Sequence, residues 1–310
     1  MKILVTGGAG FIGSHVSDAL LNAGHEVHVM DNFAGGRREN VPPKAVLHEL
    51  DIRSREAAAV CSSERYDVMY HLAAQMDVRR SVADPAFDAD VNIGGFLSLM
   101  EAARASLKKV VFSSTGGAIY GEPDYVPQDE RHPVKPISPY GIAKLATEKY
   151  LYFYNQVYGL DYVALRYGNV FGPRQNPHGE AGVVAMFAER MLRGEDVWIN
   201  GSGSQTRDYV FVDDVVGANV SALTYEGTGV FNIGTGIETD VNFLFRTIRD
   251  LTNADIPERH ADPKPGEQMR SVLDCDLALD QLDWRPLVSI EAGLKNTVDW
   301  FSERLDEVKA

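Results

Sequence analysis

Tyr140 and Lys144 stand four residues apart in "SPYGIAKLATEKY" (138–150). On a helix that spacing places both side chains on one face, one turn apart. Ser138 suits an N-cap and Pro139 the first helical position, which puts Tyr140 in the first turn, where the helix dipole favours an anion. Free tyrosine ionises near pH 10, so a useful phenolate near neutrality needs roughly 4 kcal/mol of added stabilisation. An ammonium one turn away and the positive ring of an oxidised nicotinamide, in a partly desolvated cleft, provide stabilisation of that kind. The chemistry suggested is removal of a hydroxyl proton by a positioned base. "SSTGGAIYG" (113–121) ends the apolar run before this helix, so Thr115 or Ser114 is the hydroxyl expected to bond the substrate oxygen whose proton Tyr140 takes.

A second constellation lies at the N-terminus. "TGGAGFIG" (6–13) follows an apolar run, with Gly7, Gly10 and Gly13 at a three-residue period and Phe11 and Ile12 opening a helical pattern. Glycines there permit a tight turn and let a pyrophosphate approach the free N–H groups of a helix start. Asp31 closes the second apolar run, 18 residues after Gly13. At that place a carboxylate accepts both hydroxyls of an adenosine ribose and repels a 2′-phosphate, which favours NAD over NADP. Arg37 and Arg38, just beyond, are the residues that could read a 2′-phosphate instead. Asp51 and Ile52 end the third run, where a carboxylate can accept from the adenine amino group, and "HLAA" (71–74) ends the fourth with Leu72, Ala73 and Ala74 small enough for close approach.

The elements that must position these residues follow from the pattern. "KILVT" (2–6), "EVHVM" (26–30), "AVLHEL" (45–50), "DVMYHL" (67–72), "KKVVFSS" (108–114) and "DYVALRY" (161–167) read as strands, with helices between most of them, notably near 88–105 and 139–158. Such alternation implies an α/β fold, a Rossmann-like doubly wound parallel sheet covered on both faces. Near Gly168 the pattern changes to Gly- and Pro-rich turns with helices near 181–193, 213–224, 240–252 and 289–306. The expected organisation is a dinucleotide-binding domain over 1–167 and a smaller mixed, ligand-facing region over 168–310, with "GVFNIG" (229–234) a candidate to rejoin the main sheet. The chain has 310 residues, 45% hydrophobic and 24% charged, enough for one large domain or two. A net charge of −14 without a basic cluster argues against nucleic acid and anionic membrane surfaces as partners, and the apolar runs are too short to span a bilayer. Cys61 and Cys275 are far apart and in no metal-like spacing, so no metal is expected, and the thiols read as reduced in a cytoplasmic protein.

Taken together, "TGGAGFIGSH", "DNF", "HLAAQ", "SSTGGAIYGE", "SPYGIAK", "LRYGNVFGPRQ", "SQTRDYVFVDDV" and "FNIGTG" resemble the extended short-chain dehydrogenase/reductase family, and within it the UDP-glucose 4-epimerases, over essentially the whole chain. The resemblance implies NAD as cofactor and a UDP-sugar as substrate. It implies Tyr140 as base, Lys144 as the residue that holds the nicotinamide ribose, Thr115 as the hydroxyl partner, and Asn32 and Tyr167 beside the cofactor. It puts Asn169, Arg207, Lys264, Glu267 and Ser271 against the substrate, with Arg207 on the diphosphate and Lys264 where many relatives carry arginine. The implied reaction oxidises C4 of the sugar, lets the 4-keto sugar turn, and returns the hydride to its other face. Gly116 and Gly117 follow Thr115 where family dehydratases place an Asp-Glu pair, which disfavours dehydration. A 4-epimerase of a UDP-uronate or a UDP-N-acetylhexosamine remains the alternative, the latter because the short Ser271 leaves room beside C2. "KYLYFYNQVYGL" (149–160) is apolar on more of its circumference than one sheet contact requires, which together with the resemblance implies a homodimer through this helix and the one near 88–105.

Overall fold

The structure is a computed structural model that describes residues 1–178, 182–263 and 268–309. Its strands, in chain order, are β1 (Lys2–Thr6), β2 (Glu26–Asp31), β3 (Val46–Glu49), β4 (Val68–His71), β5 (Lys109–Thr115), β6 (Asp161–Tyr167), β7 (Asn169–Phe171), β8 (Ile199–Asn200), β9 (Thr206–Phe211), β10 (Gly229–Ile233), β11 (Glu238–Asp240) and β12 (His260–Ala261). Seven of them form a parallel sheet in the order β10-β6-β5-β4-β1-β2-β3. The chain winds outward from β1 in both directions, and the crevice where the order reverses lies between β1 and β4.

The pleat sorts β1 cleanly. Ile3 and Val5 join a core with Val16 and Leu20 of the helix Phe11–Asn22 and Val215 and Ala218 of the helix Val212–Thr224. Leu4 points the other way, into a core with Phe96, Leu99, Leu151 and Tyr154. Both faces are therefore covered, and the strands read as continuous apolar runs for that reason. A third core, around Phe187, Phe211 and Phe245, supports the smaller region, where β9 pairs antiparallel with β11 and parallel with β7.

The two halves of the chain are interleaved. β10 pairs with β6 at the edge of the large sheet, and the helix Val212–Thr224 packs on the helix Phe11–Asn22. The expected helix near 88–105 is one continuous helical run with a widened turn inside it. It comprises a short helix Pro85–Ala89, a wide π-turn Asp90–Gly95 and a helix Phe96–Ala103. Two tertiary contacts meet at that turn. The Asn92 side chain bonds the backbone of Gln75, and a Cβ on Gly95 would come within 2.7 Å of the Ile52 side chain. Among the described residues, no helix is long and apolar enough to cross a membrane. Cys61 is buried, Cys275 half-buried, and both are free thiols.

Candidate active site

The glycine loop sits at the β1–β4 crevice. Gly7 has φ +71°, and a Cβ there would lie 2.7 Å from the Ala73 nitrogen, so the loop can pass the end of β4 only as glycine. A Cβ on Gly13 would be 2.2 Å from the Gly7 carbonyl oxygen, which makes this glycine a packing requirement between helix and loop. Gly10 differs. Its Cβ would meet only the Gly7 oxygen, at 3.1 Å, and otherwise open space. Gly10 is also the N-cap of the helix Phe11–Asn22, and no side chain caps it. The side chains of Phe11 and Ile12 pack into the cores, so what this helix start offers a ligand is its free backbone N–H groups.

Asp31 is 7% exposed at the end of β2. Its Oδ2 accepts from the Ala9 N–H of the loop at 3.0 Å and its Oδ1 from the Phe33 N–H at 2.8 Å. Burial pushes its pKa up while these two bonds pull it down. Arg38 is ion-paired with Glu49 and stacked over Phe33, and Arg37 lies 3.8 Å from Glu39. Both guanidiniums are thus already engaged by carboxylates. Asp51 accepts from Arg53 and from the Asn32 amide, and the Arg53 guanidinium holds its pKa well below the usual carboxylate range. Ile52 is buried beside Gly95, and Leu72, Ala73 and Ala74 line the end of β4 half-buried. The residues present fit a dinucleotide: an open glycine where a methyl would sit, a helix start with free donors, and a buried carboxylate next to them.

The tyrosine helix, Pro139–Tyr158, is built as its sequence suggests. The Ser138 hydroxyl accepts from the Gly141 N–H at 3.1 Å, Pro139 fills the first turn, and Gly159 ends the helix at φ 70°. Lys144 is 3% exposed. It donates to the Ser113 carbonyl at 2.7 Å and lies 5.7 Å from the centre of the Tyr140 ring and 4.8 Å from that of Phe112. Burial drives its pKa down to about 8, against the pull of Asp88 and Glu148. Tyr140 is half-buried, and its hydroxyl makes no hydrogen bond among the described residues. In the chain alone, burial and the nearby Asp88 carboxylate raise its pKa, so the depression expected from the helix start and Lys144 is not a property of the protein by itself.

The strand pleat separates the two candidate hydroxyls. Ser114 turns inward and donates to Glu148 Oε1 at 2.6 Å, within a buried ion pair in which Arg166 grips both oxygens of Glu148 at 3.0 and 2.7 Å. Thr115 turns the other way and accepts from the Ala118 N–H at 3.2 Å, which leaves its own O–H free to donate. The short helix Gly116–Ile119 that Thr115 caps touches the start of the tyrosine helix. A Cβ on Gly141 would be 2.5 Å from the Ala118 oxygen. Thr115 and Tyr140 are thereby held on neighbouring turns.

The substrate candidates are spread over the second region. Asn169 opens β7 with its amide oxygen facing Gly117, where a Cβ would be 3.8 Å away. Arg207, half-buried on β9, donates only to the Thr206 carbonyl and has no carboxylate partner among the described residues. Tyr167 turns its hydroxyl into the core against Asn219, so only its backbone is available to a ligand. Ser271 is 2% exposed. The stretch around it is stitched to the site: Gln268 donates to the Gly121 carbonyl, and a Cβ on Gly116 would meet the Leu273 side chain at 2.7 Å. Lys264 and Glu267 lie outside the described residues. Sequence reasoning missed Glu148 and Arg166, and only the position of Glu148 one turn after Lys144 signals them. It also missed Asp208, a buried carboxylate that accepts from Thr235, Gly236 and Leu273 beside Arg207.

A glycine loop at the sheet's crevice and a tyrosine one turn from a buried lysine are the parts that a site moving a proton and a hydride together requires. Comparison with known proteins narrows the class. Residues 3–234 match the NAD dependent epimerase/dehydratase family, and the chain belongs to that family. It is 51% identical to the UDP-glucose 4-epimerase of Thermotoga maritima, solved with UDP-glucose, over 98% of this chain and 100% of that one, with a TM-score of 0.96. The UDP-glucose 4-epimerase of Thermus thermophilus, solved with NAD, is 45% identical over 97% of this chain and 99% of that one, with a TM-score of 0.91. The UDP-glucose 4-epimerase of Mycolicibacterium smegmatis is 46% identical over 98% of this chain and 99% of its own length.

Proposed function

We propose that the chain is an NAD-dependent UDP-hexose 4-epimerase that interconverts UDP-glucose and UDP-galactose. The observation that carries the reading is Lys144, buried and tied to the Ser113 carbonyl, one turn from a Tyr140 whose hydroxyl has no protein partner among the described residues. Bound NAD supplies a hydride acceptor that becomes the donor again within the same turnover. Tyr140 takes the proton of the C4 hydroxyl and later returns it, the Lys144 ammonium stabilises the phenolate, and the free O–H of Thr115 bonds the C4 oxygen. Arg207 suits the diphosphate, which a guanidinium can bind through two parallel hydrogen bonds, and Asn169 bonds the ligand near the sugar. Lys264 and Glu267 complete the nucleotide grip in this reading. A firm hold on the nucleotide and a loose one on the sugar let the 4-keto sugar turn between the two hydride transfers. Residues 1–167 hold the cofactor and 168–310 the nucleotide sugar, with β10 lent back to the large sheet. Incubation of the pure protein with UDP-galactose tests this: UDP-glucose is the expected product, and no conversion with NAD present overturns it.

The active form is a homodimer. The tyrosine helix leaves Tyr150, Tyr152, Phe153, Val157 and Tyr158 on its outer face exposed, next to the helix Phe96–Ala103, to which it is joined by the Tyr154–Glu101 hydrogen bond and by Arg104 over Tyr158. Light scattering that gives a monomer mass at micromolar concentration refutes the dimer. The short Ser271 side chain favours some turnover of UDP-N-acetylhexosamines. Selective loss of that turnover in Ser271→Tyr supports it, and a wild type inert toward UDP-N-acetylgalactosamine refutes it.

A further inference from the structure

One buried carboxylate ties together three elements around the Tyr140–Lys144 pair. Asp88, on the helix Pro85–Ala89, is 1% exposed. Its Oδ1 accepts from Gln75 Nε2 and from Asn92 Nδ2, each at 3.0 Å. Its Oδ2 is also buried and has no hydrogen-bond partner among the described residues. Gln75 continues the stretch Leu72–Ala74 at the end of β4, and its backbone N–H donates to Asn92 Oδ1 at 2.9 Å. Asn92 in turn receives the Thr147 hydroxyl on its carbonyl at 3.4 Å, and Thr147 follows Lys144 by three residues on the same helix. The helix Pro85–Ala89 packs directly on the tyrosine helix. A buried carboxylate oxygen without a donor is costly unless a positive charge faces it. Lys144 has three donors and uses one, on the Ser113 carbonyl.

We infer that Asp88 is a positioning residue of the reaction: its carboxylate holds Lys144 in the ammonium form that a Tyr140 phenolate requires. Burial works against that ammonium, and among the groups that oppose burial Asp88 is the largest, ahead of Glu148. Other charged groups on the elements packed around the pair are Asp77, Arg79, Arg80 and Asp84 on the short helices, Asp90, paired with Arg53, and Arg166 on β6, paired with Glu148. His71, at the end of β4, is held neutral by burial, its pKa driven down to about 3. None of these is a buried carboxylate with an oxygen left without a donor. Burial first, and the same Asp88 carboxylate second, raise the pKa of Tyr140 and keep the phenol protonated in the chain alone.

The inference rests on Tyr140 and Lys144 being the working pair, and its test does not depend on turnover. Asp88→Asn keeps an acceptor for Gln75 and Asn92 and removes the charge. Side-chain NMR of lysine, with Lys144 assigned through Lys144→Arg, follows its titration in the full chain as purified at matched nucleotide content. The Lys144 midpoint is expected to fall by about one pH unit relative to wild type. The kcat for UDP-galactose at pH 7.5 is expected to fall about threefold with KM unchanged, and the alkaline limb of its pH profile to move down by the same unit. A Lys144 midpoint that does not move overturns the inference, whatever happens to turnover. A wild type without turnover defeats the functional reading and leaves the NMR result to decide on Asp88. Should Asp88→Asn not fold, Asp88→Ala gives the same measurement and must show the same shift.

Discussion

The three glycines of the loop separate ligand binding from packing, and Gly10→Ala against Gly13→Ala makes the separation measurable. A methyl on Gly13 would sit 2.2 Å from the Gly7 oxygen and 3.0 Å from the Gly8 Cα, both backbone atoms with no room to move. Gly13→Ala should cost at least about 3 kcal/mol, the upper range for forced overpacking. At roughly 2 °C per kcal/mol for a chain of this size, its melting temperature should fall by about 6 °C or more. A methyl on Gly10 meets one atom, at 3.1 Å, and the residue already has φ −76° and ψ 179°, which alanine adopts freely. The loss of a favourable N-cap and the gain in chain stiffness nearly cancel, so stripped of nucleotide the Gly10→Ala protein should melt within about 2 °C of wild type. The methyl instead occupies the space above the free N–H groups of the helix start. NAD affinity should therefore drop at least about tenfold, roughly 1.4 kcal/mol, and the rise in melting temperature on adding NAD should shrink accordingly. The assay is thermal unfolding of both variants with and without NAD, beside calorimetric titration. If Gly10→Ala binds NAD within twofold of wild type, or loses as much stability as Gly13→Ala, the loop's glycines serve packing alone.

Three further outcomes are expected. Tyr140→Phe should keep fold and NAD content but lose at least about a hundredfold in kcat, and near-normal turnover would remove Tyr140 as the base. Thr115→Val should lose about tenfold or more in kcat, whereas Ser114→Ala should keep turnover but lose about 1–3 kcal/mol in urea unfolding, because Glu148 forfeits a buried hydrogen bond; the reverse pattern would exchange their roles. The Lys144 pKa, lowered from 10.5 to about 8, means that between pH 8 and 10 the unfolded chain keeps a proton the folded chain has released. The unfolding free energy of nucleotide-free wild type should then rise with pH relative to Lys144→Met across that window, by at most about 3 kcal/mol, and a constant difference would show that the lysine is not buried as a charge.

What the sequence determined by itself was local. The Gly13 contact with Gly7, the Ser138–Pro139 helix start and the Tyr140–Lys144 spacing depend on contacts within short stretches of chain, and their residue types are dictated by capping, close packing and helical period. The strands were legible because a sheet covered on both faces requires continuous apolar runs. The tertiary structure alone decided what depends on partners far along the chain. Ser114 and Thr115 are chemically alike and adjacent, and only the pleat of β5, with Glu148 and Arg166 waiting on one side, sends the first into the core and leaves the second facing the cleft. The widened turn in the helix near 88–105 lies where Gln75 and Ile52 meet it from other elements. The return of β10 to the large sheet, only a candidate from the sequence, was settled by its pairing with β6. The charge balance of the site was hidden for the same reason: burial and Asp88 set the titration of Lys144 and Tyr140, and burial is a property of the folded chain that no spacing encodes.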